Sequence, residues 1–240
     1  MVSVRDLSRD YGTGAQRVSA LAGVSFDLDR GTFTAVMGPS GSGKSTLLQC
    51  VAGLDRPTSG GVTVDGVELG TLDETAMTVF RRDHIGFVFQ AFNLITSLTA
   101  AQNVALPARL AGRRADAAGL ARALGAVGLT DRAGHRPSEL SGGQQQRVAV
   151  ARAMFNEPAV LFADEPTGAL DAGSSRQMLD LLRAMVDDRG QTVLMVTHDP
   201  VAAATADQVL FLADGRLAGR MPATGPGAIA ARMTTVEMAS

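Results

Sequence analysis

The chain has 240 residues, enough for one large domain with a core of its own. Hydrophobic residues make up 45% and charged residues 19%, a folded globular balance rather than a disordered one. The formal net charge is −2 and no long basic run is present, so no nucleic-acid partner is expected.

Residues 2–7 and 24–28 alternate apolar and polar side chains, as half-buried strands do. Residues 32–37 form a mostly apolar run that ends in glycine and reads as a buried strand. A helix is expected over 45–52. It carries Cys50, the only cysteine, which excludes an internal disulfide and suits a small buried hydrophobe. Residues 62–67 read as a further short strand with Asp65-Gly66 as a turn signal. Residues 85–108 contain no charge, but Gln90, Asn93, Gln102, Asn103 and Pro107 interrupt them, so a membrane span is not expected. No basic and apolar leader opens the chain.

From about 98 to 134 the chain turns rich in alanine, leucine and arginine with apolar residues at helical spacing, and a helical subdomain inserted into a sheet domain is expected. A helix over 148–155, strands over 160–163 and 192–196, and a helix over 177–186 between those strands follow. Strand, helix and strand without a hairpin signal imply a parallel sheet covered on both faces. Residues 219–240 lose the periodicity and carry Pro222, Gly225, Pro226 and Gly227, so a mobile or peripheral tail is expected.

Five segments carry chemistry. Gly38-Pro39-Ser40-Gly41-Ser42-Gly43-Lys44-Ser45-Thr46 meets the phosphate-loop pattern and lies between a strand and a helix. Its glycines let backbone N–H groups converge on phosphates at a helix N-terminus. Lys44 would neutralise the β- and γ-phosphates of a nucleotide, and Ser45 would offer a hydroxyl to Mg²⁺. The apolar strand 160–163 ends in Asp164-Glu165: Asp164 suits the Mg²⁺, and Glu165 suits a general base that polarises water. His198 ends the next apolar strand and is expected at the same sheet edge, with Gln90 at the end of 85–89 as a sensor of Mg²⁺ or water. Ser141-Gly142-Gly143-Gln144 opens a second helix and makes a second anion site, which one ATP bound to one copy does not need. Two copies arranged head to tail resolve this, each serine turn facing the γ-phosphate held by the other copy's Lys44.

These residues resemble the ATP-binding subunit of ATP-binding cassette (ABC) transporters over nearly the whole stretch from Val4 to about Leu217. The likeness includes the phosphate loop, Gln90, the signature Leu140–Gln144, the acidic strand end at Glu165, Ala169-Leu170-Asp171 and His198. It also makes Tyr11 look like the aromatic that stacks on adenine. Phrases such as Ile85-Gly86-Phe87-Val88-Phe89-Gln90 and Ala163-Asp164-Glu165-Pro166-Thr167-Gly168 are similar to the branch containing macrolide exporter, lipoprotein-releasing and FtsE-like ATPases.

The resemblance implies an α/β phosphate-loop NTPase fold with a mostly parallel core sheet, an N-terminal antiparallel β subdomain and an inserted α-helical subdomain. Residues 1–220 would be the nucleotide-binding domain, its helical part at about 91–155, with a peripheral tail over 221–240. ATP and Mg²⁺ are the implied cofactors. A second copy and a membrane permease are the implied partners, at the cytoplasmic face of the cell membrane. Residues 91–95 are apolar for a surface loop and could help receive the permease. Soluble cassette ATPases acting on DNA or ribosomes, and ATPases that transmit force without transport, are the competing readings.

Overall fold

Alternation on one side of the molecule and continuous apolarity on the other separate the strands into two sheets. The computed structural model describes residues 1–12 and 14–238. In chain order the elements are β1 (Val2–Tyr11), β2 (Val18–Leu28), β3 (Phe33–Met37), α1 (Lys44–Val51), β4 (Ser59–Val64), β5 (Val67–Glu68), α2 (Glu74–His84), β6 (Ile85–Val88), α3 (Ala100–Val104) and α4 (Leu106–Leu110). Then come α5 (Ala117–Ala126), α6 (Gly142–Met154), β7 (Val160–Asp164), α7 (Ala172–Arg189), β8 (Thr192–Val196), α8 (Pro200–Ala203), β9 (Gln208–Ala213), β10 (Arg216–Pro222) and α9 (Pro226–Met238).

The first sheet is antiparallel with order β2-β1-β4-β5. Val2, Val4 and Leu7 of β1 and Leu21, Val24 and Leu28 of β2 turn one face inward, onto Leu47, Leu48 and Val51 of α1. The single strand expected over 62–67 is a hairpin instead. Asp65 and Gly66 both have positive φ, the geometry of a tight two-residue turn, and they separate β4 from β5. Cys50 packs in this core at 1% exposure, and burial pushes its thiol up to about 11.

The second sheet has order β10-β9-β3-β8-β7-β6. The five strands β9, β3, β8, β7 and β6 are parallel, and β10 is an antiparallel edge. Every residue of β3 and β8 is buried, as strands covered on both faces require. Helices α3, α5 and α6 pack on one another through Val104, Leu124 and Val148. Asn103, fully buried, secures the chain leading into them: its Oδ1 accepts from Ile95 N, and its amide donates to the carbonyls of Ile95, Leu98 and Thr99.

The segment after 220 departs from the expectation of a mobile tail. The boundary falls inside β10, and α9 packs back on the sheet with Ile229 and Val236 in the main core. Two buried positions seven residues apart are too few to mark a helical stripe in sequence, which explains why the periodicity is silent. Residues 239 and 240 of that tail lie outside the described residues. Ile229→Ala should lower the unfolding free energy by about 2–5 kcal/mol, the usual cost of truncating a fully buried Ile, measured by urea denaturation. A change under about 0.5 kcal/mol would mean that α9 is not part of the cooperative core.

Candidate nucleotide site

The register of the parallel sheet places the functional segments. Val36, Val196 and Asp164 lie on one row across β3, β8 and β7, and Val88 of β6 pairs with Ala163. Gly38, His198, Glu165 and Gln90 therefore leave the sheet within two residues of that row, at the carboxyl edge where α/β sheets bind ligands.

The phosphate loop is shaped by close approach. A Cβ on Gly38 would lie 2.1 Å from Leu212 O, and one on Gly43, the residue before α1, would lie 2.3 Å from Ala20 O at φ +98°. Lys44 Nζ donates to the carbonyls of Gly38 (2.8 Å) and Pro39 (2.7 Å) and so bridges its own loop. Burial lowers its pKa, while the charges of Glu165 and Asp164 act the other way. Ser42 Oγ is buried inside the loop without a partner, an orphaned polar atom in a cradle of backbone groups. That loop fits a phosphate.

Asp164 stands 3.5 Å from Ser45 Oγ. Burial, and then the charge of Glu165, raise its pKa, against the pull of Ser45 and Lys44. A buried carboxylate held up in this way gains from a cation beside it. Two protein oxygens facing each other also suit Mg²⁺, which takes its remaining ligands from phosphates and water. Glu165 follows in the left-handed region at φ 47°, its N–H donating to Val196 O. Both its carboxylate oxygens lie 2.9 Å from His198 Nδ1. Gln90 is exposed, and its amide nitrogen sits 2.9 Å from the position of a Cβ on Gly168, over the turn that Glu165 and Gly168 close with a backbone bond. Lys44, Ser45, Gln90, Asp164, Glu165 and His198 thus share one edge.

Ser141 does not join them within one chain. It is exposed and caps α6, accepting from Gln144 N at 3.3 Å while Gln144 Oε1 accepts from Ser141 N at 2.9 Å. This capping box employs the Gln144 side chain inside its own turn and leaves the N-terminus of a 13-residue helix pointing outward. Gly143 packs on Ser174, whose N–H and hydroxyl bond Asp171, the cap of α7. The turn 141–144 and the segment 169–171 therefore form one packed unit.

Tyr11 lies at the loop end of the β1–β2 hairpin, 40% exposed, its hydroxyl donating to Asp55 at 2.8 Å.

Sequence reasoning passed over Gln146 and Arg152. Gln146 is fully buried, and its amide donates to Phe89 O, just before Gln90, and to Pro166 O, just after Glu165. Arg152 donates to the carbonyls of Phe92 and Asn93. Gln146 falls three residues after Gly143 and four before Val150 on the buried stripe of α6, and a polar residue on such a stripe is the signal that could have found it.

A family model described as ABC transporter matches residues 21–168. The chain belongs to the ABC transporter family. Among curated relatives it is similar to the macrolide export ATP-binding/permease protein MacB of Hyphomonas neptunium, 46% identical over 222 residues, covering 90% of this chain and 34% of that protein. It is also similar to MacB of Escherichia coli K12, 44% identical over 225 residues, covering 93% and 35%. The chain therefore spans about a third of the length of these relatives. Among solved structures it resembles the ATP-binding cassette MJ0796 in a dimeric post-hydrolysis state bound to ADP and Pi, at TM-score 0.85 and 40% identity, covering 94% of this chain and all of that one. A second dimeric MJ0796 structure matches at the same TM-score and 41% identity. The fold is the ABC cassette fold, an α/β phosphate-loop NTPase with an antiparallel N-terminal sheet, as the motifs imply.

Gln146→Leu in this cassette should cost about 1–3 kcal/mol, because Pro166 O loses its donor and Phe89 O is left with Phe92 N alone. Denaturant unfolding measures this, and an unchanged midpoint would mean that the tether carries no strain-bearing contact.

Proposed function

We propose that this chain is the ATP-binding and ATP-hydrolysing subunit of an ABC transporter, pairing with a second copy around ATP to drive a membrane permease. The observation that carries the reading is the separation of two anion sites. Lys44 and the Glu165–His198 pair occupy one sheet edge, while the capped N-terminus of α6 faces outward with no bond to that edge. A second copy completes each site, and the dimeric state described for the 40% identical cassette supports this pairing.

In this reading Gly38–Thr46 wrap the phosphates, Lys44 leaves its own carbonyls for the β- and γ-oxygens, and Tyr11 stacks on the base. Ser45, Asp164 and Gln90 hold Mg²⁺, which when bound neutralises charge on the terminal phosphates. Glu165 takes the proton of the attacking water. Against the carboxylate His198 presents Nδ1–H, which fixes the orientation of Glu165 and leaves the Nε2 lone pair to accept from the attacking water. Gly142 and Gly143 offer backbone N–H groups and the helix dipole to the γ-phosphate of the partner copy, in a turn that the reciprocal Ser141–Gln144 bonds hold in shape. Closure on ATP and opening after hydrolysis move the permease by differential affinity for the two states.

The permease is seated on the helical face. A groove of about 860 Å³ runs beside Met154, Phe155 and Met185, with Arg122 and Arg189 as well as Asp116 and Glu157 on its lining, and suits an apolar segment bearing charges of both signs. Of residues 91–95, Leu94 packs into the core and Ile95 is exposed, so only part of that loop is free for a partner. No helix among the described residues is long and apolar enough to cross a membrane. In this reading the permease holds the chain at the cytoplasmic face. The similarity to MacB makes an exporter-like or lipoprotein-release-like permease the fitting class.

Glu165→Gln should keep ATP binding, cut turnover by roughly 100-fold or more, and accumulate an ATP-bound dimer in size-exclusion chromatography. Turnover at the parental rate would remove the general-base role. Ser141→Ala should lower turnover while leaving ATP affinity of the dilute monomer unchanged, measured by equilibrium binding of a fluorescent nucleotide. Loss of monomer affinity instead would place Ser141 in its own chain's site.

A further inference from the structure

A cluster at the far end of α1 has no part in phosphate chemistry. Arg9 and Asp55 form a two-point ion pair, Nε to Oδ2 at 2.9 Å and Nη2 to Oδ1 at 2.8 Å, with both side chains about three-quarters buried. The same Oδ2 accepts from the Tyr11 hydroxyl at 2.8 Å, and the Arg9 guanidinium lies 4.5 Å from the Tyr11 ring centre. The ring is thus held by its hydroxyl and by one face.

Asp55 is itself fixed. Its N–H donates to Gln49 O near the end of α1, and Leu54 N donates to the same carbonyl. The loop beyond is tied to β1 through Thr58, whose N–H donates to Ser8 O and whose hydroxyl accepts from Asp10 N. The N-terminus of α1 is the phosphate loop, so this one helix references both Lys44 and, through Asp55, the tyrosine. Its eight residues span about 12 Å. The other route gives the same scale. Tyr11 pairs with Val18, and Ala20, two residues on, abuts Gly43, which places the Tyr11 backbone roughly 12 Å from the phosphate loop. An extended nucleotide bridges such a span.

We propose that Asp55 and Arg9 are positioning residues for the nucleotide base: they hold Tyr11 so that its uncovered face meets a purine at a spacing from the phosphates that α1 sets. This rests on the reading of Tyr11 as the base platform. The base is gripped by stacking, so a purine nucleoside triphosphate of either kind gains from the ring.

Tyr11 is the single tyrosine and the chain has no tryptophan, so intrinsic emission excited near 280 nm (about the phenol maximum) reports this ring alone. The test uses the full chain with ATP and with GTP, reading kcat, KM and tyrosine emission. Tyr11→Ala should raise KM for both nucleotides by about tenfold. Asp55→Ala and Tyr11→Phe should each raise KM severalfold without a matching fall in kcat, and the double variant should be no worse than either single one. Asp55→Asn, whose amide oxygen can still accept the hydroxyl, should recover most of the affinity. Emission in Asp55→Ala should rise as the quenching carboxylate is lost, and ATP should alter emission in the parent.

An unchanged KM in both Asp55→Ala and Tyr11→Phe beside a raised KM in Tyr11→Ala would overturn the positioning role while leaving the platform intact. An unchanged KM in Tyr11→Ala would overturn the platform itself. A fall in kcat and melting temperature at constant KM would reduce the cluster to a structural brace and overturn the proposal. Tyr11→Phe removes one oxygen from an exposed side chain, so a folding failure of Asp55→Ala does not remove the test.

Discussion

The register of β3, β8, β7 and β6 is the constraint on which the site depends. These strands run in one direction and align Val36, Val196 and Asp164, so the loops that follow reach a single edge whatever their sequences. Side chains along the strands alternate with a period of two, so a one-residue slip of any strand would turn its terminal functional group to the opposite face. The full burial of β3 and β8 is what holds the register, because a slipped strand would repack large apolar side chains on both faces. The fold's stability and its chemistry thus rest on the same packing, with Phe33 in the core on one face of the sheet and Phe162 and Leu194 in the core on the other.

Much of the site could be read before the fold. Lys44, Ser45, Asp164, Glu165 and His198 sit at the ends of short apolar runs, and a strand end followed by glycine or by acids is a local pattern. The parallel sheet was legible for the same reason, since unbroken apolarity marks β3, β7 and β8, and alternation marks β1 and β2 as half-buried strands, while their place in a separate antiparallel sheet came with the family resemblance. Gln146 and Arg152 were not legible. Their partners lie at positions 57, 20 and 59 residues away and are backbone carbonyls, which carry no residue identity. The terminal helix α9 was silent because it spends only Ile229 and Val236 on full burial.

Those silent residues explain how two halves of the chain act together. Gln146 links α6 to both the Gln90 strand end and the Glu165 turn, while Asn103 and Arg152 bind the loop between them. Gly143 against Ser174 joins the same helix to the cap of α7. The outward-facing turn at Ser141 is therefore mechanically continuous with the acids of its own chain. In the proposed paired state, these packed contacts and hydrogen bonds are the physical connection between Ser141 and Glu165.

The backbone of Glu165 has a consequence for any attempt to harden this molecule. A glutamate at φ 47° is held in a conformation that glycine or asparagine adopts more easily, at a cost on the order of 1 kcal/mol. A search for thermostable variants that scores only folding would favour replacing the carboxylate proposed to activate water. On that proposal, heat resistance gained at position 165 would come with an inert protein, and a stabilisation campaign must exempt this residue on chemical grounds.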